Sequence, residues 1–180
     1  MIHQKQEVVE LMQKMRELLF DFAILGGYPR DIALGREPKD MDICVYNYHP
    51  TDQAEITFSN VLKAWLEERN MIAEAHDKMH PSNPDKSRIY HVVTLKCGVD
   101  IIFWNAKTKW EVIHRFDFNI NQYELAVQDD SWTPIFHGNN HGVLQHVRAA
   151  NEILPERLDH IIDIADSFKW DTTQCLHNRK

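Results

Sequence analysis

The fold of this chain is decided by residues 22–45, which read FAILGGYPRDIALGREPKDMDICV. The apolar start predicts a strand that stops at Gly26 and Gly27, and a short helix follows with Pro29 in its first turn and residues 32–34 expected to pack inward. Glycines let backbone approach an anion, and a helix N-terminus supplies free N–H groups. The sequence therefore predicts a phosphate-binding corner.

The same stretch ends in two carboxylates, Asp40 and Asp42, followed by an apolar run at 43–45 that predicts a strand. Alternation along a strand puts both carboxylates on one face, roughly 6.5 to 7 Å apart at their Cα atoms. Divalent ions in two-metal phosphoryl-transfer sites lie about 3.5 to 4 Å apart. The pair is therefore predicted to bridge two magnesium ions, for which Mn²⁺ substitutes.

The whole string resembles the first signature of the head domain of the poly(A) polymerase and tRNA nucleotidyltransferase (CCA-adding) family, in the polymerase-β-like superfamily. That signature is Gly-Gly-x-x-Arg-Asp followed by Leu-Gly-Arg-x-x-x-Asp-x-Asp. It is matched here by Gly26, Gly27, Arg30, Asp31, Leu34, Gly35, Arg36, Asp40 and Asp42. The resemblance implies an α+β fold, a polymerase-β-like nucleotidyltransferase palm whose mixed β-sheet is backed by helices. It also implies that Gly26, Gly27 and Arg30 bind a triphosphate while Asp40 and Asp42 hold Mg²⁺.

A third carboxylate, Asp100, lies in the predicted strand 99–104, which is otherwise apolar. An ionised carboxylate left alone there costs several kcal/mol, so we expect a positive partner. In this context Asp100 resembles the third metal-binding and catalytic Asp of the superfamily, and an ion pair with Arg or Lys is the alternative. A plainer interpretation of the first motif also stays open: a Gly-Gly turn, a helix charge at Asp31 and a solvated strand edge.

Residues 114–122, HRFDFNINQ, resemble the family's second signature, Arg-Arg-Asp-Phe-Thr-Ile-Asn-Ala. Five positions match, namely Arg115, Asp117, Phe118, Ile120 and Asn121. The resemblance implies that Arg115, Asp117 and Asn121 contact the nucleotide. Phe116, Asn119 and Gln122 depart from the motif and are Arg, Thr and Ala in the family. Contacts of the missing Arg are in doubt.

Beyond Gly138 the match thins, and Pro155 is predicted to open a helix. The family continues into a helical neck with a Glu-Asp-x-x-Arg motif that selects the base, and this motif is absent here. We therefore expect a nucleotidyltransferase catalytic head at residues 1–137 and a short helical C-terminal extension at 138–180. His137 and His141 have helical metal-ligand spacing, but neighbouring glycines favour a loop, so we expect no zinc site.

The composition of the sequence indicates the general class of protein. A chain of 180 residues with 43% hydrophobic and 26% charged residues is an ordinary globular domain. No apolar run approaches the length of a membrane span and no signal-peptide core is present, so we expect a cytoplasmic protein without a membrane partner. Three cysteines without a Cys-x-x-Cys pattern are expected to be reduced. Phosphate neutralisation by Lys and Arg drives generic RNA binding, and the net charge of −7 opposes it.

The resemblance predicts an ATP- or NTP-dependent enzyme that moves a nucleoside monophosphate to an acceptor hydroxyl and releases pyrophosphate. The acceptor is an RNA 3′ end or, as the acidic charge suggests, a hydroxyl on a small molecule or protein. A non-catalytic nucleotide-binding module of the same fold is the other alternative. Residues 76–86 predict a loop whose Lys78 and Lys86 contact acceptor or triphosphate or are simply solvated. The sequence does not fix the oligomeric state.

Overall fold

A computed structural model describes residues 1–76, 88–128, 131–149 and 153–176. The predicted loop at 76–86 lies outside the described residues from residue 77 onward. The helices are α1 (Gln6–Glu17), α2 (Gly27–Ala33), α3 (Gln53–Glu68), α4 (Lys109–Ile113), α5 (Pro155–Ser167) and α6 (Thr173–Leu176). The strands are β1 (Asp21–Leu25), β2 (Met41–Tyr46), β3 (Ile72–His76), β4 (Ile89–Leu95), β5 (Val99–Trp104), β6 (Tyr123–Gln128) and β7 (Ser131–Phe136). Seven strands in a mixed sheet with helices confirm the predicted α+β class.

The chain divides into two compact units, and the first comprises Met1–Ile24 and Pro38–Val112. Its strands have the order β3-β4-β5-β2-β1, with β2 parallel to β5 and β4 antiparallel to both β3 and β5. Helix α1 is amphipathic, and its buried side chains are Val8, Leu11, Met12 and Met15. Asp52 caps α3 by accepting from the backbone N–H of Ala54 at 2.8 Å.

The second unit comprises Leu25–Glu37 and the described residues from Ile113 onward. It contains α2, the antiparallel β6–β7 hairpin and the C-terminal helices. Its core is formed by Phe118, Ile120, Leu144, Ile161, Ile162, Ala165, Trp170 and Cys175. The second signature and the segment after residue 138 therefore share one hydrophobic core.

The predicted boundary after residue 137 stays a prediction. The described residues after 138 lie in the second unit, where Leu144, Ile161 and Trp170 pack in the same cluster as Phe118 and Ile120. The helix predicted after Pro155 is confirmed as α5. Sequence periodicity found this helix but gave no indication of what its apolar face would cover.

The expected inward face of α2 is wrong. Ile32 and Leu34 are half-exposed and Ala33 is exposed, whereas the buried residues of α2 are Tyr28, Pro29, Arg30 and Asp31. The two charged residues in the middle of the helix, Arg30 and Asp31, can be buried because they form an ion pair at 2.6 Å.

Cys44, Cys97 and Cys175 are free thiols, as expected, with Cys44 and Cys175 buried and Cys97 half-buried. No helix among the described residues is long and apolar enough to cross a membrane.

Candidate active site

The first unit brings Asp42 and Asp100 together. They are direct Cα partners in the parallel ladder between β2 and β5. Register partners on neighbouring strands project to the same face, and neighbouring strands lie about 4.8 Å apart. Both residues are half-buried, whereas Met41, Ile43, Val99 and Ile101, which alternate with them, are fully buried. The ladder thus sets two carboxylates side by side on the more exposed face of the sheet.

Asp40 lies directly before β2. The strand begins at Met41 and Asp40 is exposed, so the pairing of Asp40 with Asp42 on one strand face stays a prediction. The backbone N–H of Met41 already donates to the carbonyl of Gly98 at 2.9 Å, which pins the start of β2 to the start of β5. Asp42 therefore has Asp100 as its register partner across the ladder.

The chemistry of this donor set suits Mg²⁺, which prefers carboxylate oxygens. Within the described ranges, however, no three His, Cys, Asp or Glu side chains are gathered as a ligand group for a metal ion. Asp42 and Asp100 are the members of the predicted set that the strand register places side by side, and Asp40 immediately precedes β2. The residues therefore fit a metal ion through the carboxylates of Asp42 and Asp100, with Asp40 as a third carboxylate nearby in sequence.

Cys44 lies two residues after Asp42 and is fully buried. Burial raises the pKa of its thiol well above the usual range, the negative charge of Asp42 adds to this effect, and a hydrogen bond with Trp104 opposes it. The thiolate is the form of cysteine that ligates metals. Cys44 therefore stays neutral and supports the strand rather than the candidate metal site.

The Gly-Gly corner belongs to the second unit. Gly26 has φ +91° and ψ −135°, a conformation open to glycine but strained for other residues, and its N–H donates to the carbonyl of Tyr123 at 3.0 Å. The Gly26 N–H is thus used within the fold. The N–H groups at the start of α2 are those of Gly27 and Tyr28, because Pro29 has none.

Arg30 is the centre of a buried polar network. Its Nε and Nη2 donate to Oδ1 of Asp31 at 2.8 and 2.6 Å, and its Nη1 donates to Oδ1 of Asn121 at 2.7 Å. A Cβ atom at Gly27 would lie 3.4 Å from Nη2 of Arg30. Arg30 is therefore a neutralised, oriented guanidinium beside the glycine corner, and it joins both signature segments.

Asp117, predicted to contact the nucleotide, is held within the second unit. Its Oδ1 accepts from Nη1 of Arg148 at 2.9 Å and its Oδ2 accepts from Nε of Arg157 at 3.4 Å. Arg115 is half-buried in the turn after α4. Sequence reasoning missed Arg148 and Arg157, because they lie outside both signatures.

Two departures from the second signature are structural. Asn119 is 2% exposed, and its amide donates to the carbonyls of Asn139 and Val143 at 2.9 Å while its oxygen accepts from the N–H of Gln145 at 2.8 Å. Gln122 is also buried, and its amide donates to the carbonyl of Ile113 at 3.0 Å. The replacement of the family's Thr and Ala by these two amides was the sign in the sequence that residues 119–122 form hydrogen bonds specific to this chain.

The two histidines with metal-ligand spacing have separate partners. Nε2 of His137 lies 2.8 Å from Oε2 of Glu124, and Nε2 of His141 lies 2.8 Å from the hydroxyl of Tyr123. Burial raises the pKa of Tyr123 to about 12, against the opposing charge of Arg30. The tyrosine therefore keeps its proton.

No protein-family model matches this sequence, and no curated protein matches it. Solved structures do. A CCA-adding enzyme in complex with CTP is 18% identical with a TM-score of 0.60, covering 97% of this chain and 41% of that chain. A tRNA nucleotidyltransferase complexed with a primer tRNA and an incoming ATP analogue is 18% identical with a TM-score of 0.58, covering 89% and 46%.

The CCA-adding enzyme of Thermotoga maritima, complexed with tRNA, is 21% identical with a TM-score of 0.54, covering 88% of this chain and 37% of that chain. The predicted resemblance is therefore confirmed at the level of fold: the chain has the nucleotidyltransferase fold of these enzymes. It spans less than half of their length. The match over 97% of the chain also extends past residue 140, where the sequence resemblance thins.

Proposed function

We propose that this chain is a metal-dependent nucleotidyltransferase that moves a nucleoside monophosphate from an NTP to an acceptor hydroxyl. The acceptor oxygen forms a bond to the α-phosphorus, the bond from that phosphorus to the β-phosphate oxygen breaks, and pyrophosphate leaves. The hydroxyl proton is released. The nucleotidyltransferase fold makes this reaction class the natural one for the chain.

The observation that carries the proposal is the register of Asp42 with Asp100. Two carboxylates side by side in adjacent parallel strands can share a cation, which offsets their mutual repulsion. Asp42, Asp100 and Asp40 would hold Mg²⁺, with Mn²⁺ as a substitute. The ion supplies neutralisation of the triphosphate and a lower pKa for the acceptor hydroxyl.

In the second unit, Arg30 supplies the donors for phosphate. A guanidinium has five N–H donors, and three of those on Arg30 are used by Asp31 and Asn121. Within the part of the chain that the structure describes, this leaves one donor on each Nη for a phosphate. The absence of a side chain at Gly27 leaves room beside Nη2. Gly26, Gly27 and Arg30 thus bind the triphosphate, and Arg115, Asp117 and Asn121 contact or orient the nucleotide.

Two acceptor classes are consistent with the proposal. The relative solved with a primer tRNA favours an RNA 3′ end. The net charge of −7 favours a hydroxyl on a small molecule or protein, because RNA affinity grows with the number of Lys and Arg that contact phosphates.

The test is pyrophosphate release by the purified chain with each NTP and Mg²⁺, in the presence of total RNA, of polyol and amino-alcohol acceptors, or of buffer alone. We expect release that requires Mg²⁺ and an acceptor. An RNA acceptor should lose rate steeply between 50 and 200 mM salt, whereas a small acceptor should not. NTP binding without turnover under every condition would favour the binding module instead.

A further inference from the structure

The segment after residue 138 holds Asp117 at three points. Arg148 and Arg157 each donate to a different oxygen of its carboxylate, and the backbone N–H of Val147 donates to its carbonyl at 2.9 Å. Rotation of the carboxylate breaks both arginine contacts at once. Asp117 therefore has one orientation, and the C-terminal segment sets it.

The two arginines differ in exposure. The side chain of Arg148 is 10% exposed, that of Arg157 is 46% exposed, and that of Asp117 is 21% exposed. Arg148 closes the inner side of the carboxylate, whereas Arg157 reaches it from α5 at the surface. A charge-assisted hydrogen bond is stronger when it is shielded from water, so Arg148 is the stronger anchor.

The C-terminal segment also holds the next residues of the second signature. The backbone N–H of Asn119 donates to the carbonyl of Gln145 at 3.1 Å, in addition to the three bonds of the Asn119 side chain. Phe118 and Ile120, which alternate with these polar residues, are fully buried in the core cluster. The next residue, Asn121, accepts from Arg30. The C-terminal segment therefore fixes residues 117–120. Asn121, which follows them, accepts the hydrogen bond that orients Arg30.

We infer that Arg148 and Arg157 are positioning residues of the nucleotide site, acting through Asp117. A carboxylate only accepts hydrogen bonds, so Asp117 can meet hydroxyl or amino groups of a nucleotide but not its phosphates. Its geometry toward such a group depends on the two arginines. The inference rests on the proposed function and adds to it that the C-terminal segment serves as the rigid support of the site.

The test is a double-mutant cycle on nucleotide affinity. Arg148→Gln is expected to weaken ATP binding about tenfold and Arg157→Gln about threefold, because coupled residues in contact interact by such factors. In an Asp117→Asn background neither substitution should weaken binding further. Lys169→Gln removes an exposed positive charge from the same unit and is the matched control. Calorimetric titration with ATP gives each dissociation constant.

A second readout separates positioning from general destabilisation. In Arg148→Gln, hydrogen exchange should rise at the amides of Asn119 and Val147 and stay unchanged at those of β2 and β5. ATP affinity equal to that of the Lys169→Gln control, or the same loss in the Asp117→Asn background, overturns the inference. If the wild type binds no NTP, the proposed function fails, and the exchange data alone then decide whether Arg148 holds the segment: unchanged exchange overturns that as well.

Discussion

The two units build their candidate site residues by different physical means. In the first unit, backbone hydrogen bonds of the β2–β5 ladder set Asp42 against Asp100. In the second unit, side-chain bonds hold Arg30 to Asn121, 91 residues away, and Asp117 to Arg148, 31 residues away. Geometry set by backbone survives a side-chain substitution, whereas geometry set by side chains does not. Substitutions should therefore separate chemistry from stability in the first unit and couple them in the second.

The largest effect should come from Asp42→Asn. This change keeps side-chain volume and removes the charge that attracts the metal ion, so Mg²⁺-dependent turnover should fall by about a thousandfold or more. The free energy of unfolding should change by about 1 kcal/mol or less. Asp21→Asn, at the exposed start of β1, is the control. Wild-type turnover from Asp42→Asn would remove the first unit from the mechanism.

Asp100→Asn tests the other member of the pair. We expect kcat to fall about a hundredfold while the dissociation constant of ATP changes by about threefold or less, because an interaction made mainly in the transition state appears in turnover rather than in binding. Steady-state kinetics and calorimetry give the two values. An equal loss in both would assign Asp100 to ground-state binding of the nucleotide.

Gly27→Val should lower both nucleotide affinity and stability. A Cβ atom would already be in van der Waals contact with Nη2 of Arg30 at 3.4 Å, so the two added methyl groups of Val would occupy the space beside the guanidinium. We expect ATP binding below detection and a free energy of unfolding lowered by about 1 to 3 kcal/mol. Gly27→Ala is the matched control and should cost little in either measurement. ATP affinity that survives in Gly27→Val would refute the phosphate corner.

Asn119→Ala should lower stability more than chemistry. The change removes a buried amide and leaves the carbonyls of Asn139 and Val143 without this donor, at a cost of about 1 to 3 kcal/mol. Urea unfolding measures this, with the exposed Asn60→Ala in α3 as control. Unchanged stability would mean that the C-terminal segment is not anchored through Asn119.

The smallest effect concerns His146. Both of its ring nitrogens are buried without a hydrogen-bond partner among the described residues, and burial lowers its pKa below the usual 6.5. The unfolded state therefore binds a proton more readily than the folded state. Its contribution to stability is complete above pH 6.5 and is lost as the pH falls from there through the folded-state pKa.

The variant His146→Leu should remove this component of the acid sensitivity. His3, whose pKa burial also lowers, gives the first unit a component of the same sign, so acid sensitivity should not vanish entirely. Unfolding free energies measured from pH 7.5 to pH 5 provide the comparison. A difference between variant and wild type that is the same at every pH would exclude His146.

Sequence reasoning succeeded where the determinants are local. The strand that carries Asp100 and the helix that begins at Pro155 both follow from local composition and periodicity. It failed where distant residues decide. The register of Asp42 with Asp100, the burial of Arg30 and Asp31, and the arginines on Asp117 are long-range outcomes that no local pattern encodes. Departures such as Asn119 were visible in the sequence, but their partners were not.

The positions of the three cysteines allow local unfolding of each unit to be measured by thiol labelling. Cys44 is buried in the first unit, and Cys175, whose Sγ lies 3.4 Å from the carbonyl of Leu144, is buried in the second. Burial raises the pKa of both thiols, so neither reacts with an alkylating agent until its own surroundings open. Cys97 is only half-buried and should be labelled first. A labelling time course read by peptide mass therefore gives separate opening rates for the two units of the wild-type protein. The early labelling of Cys97 serves as the internal reference for the activity of the reagent.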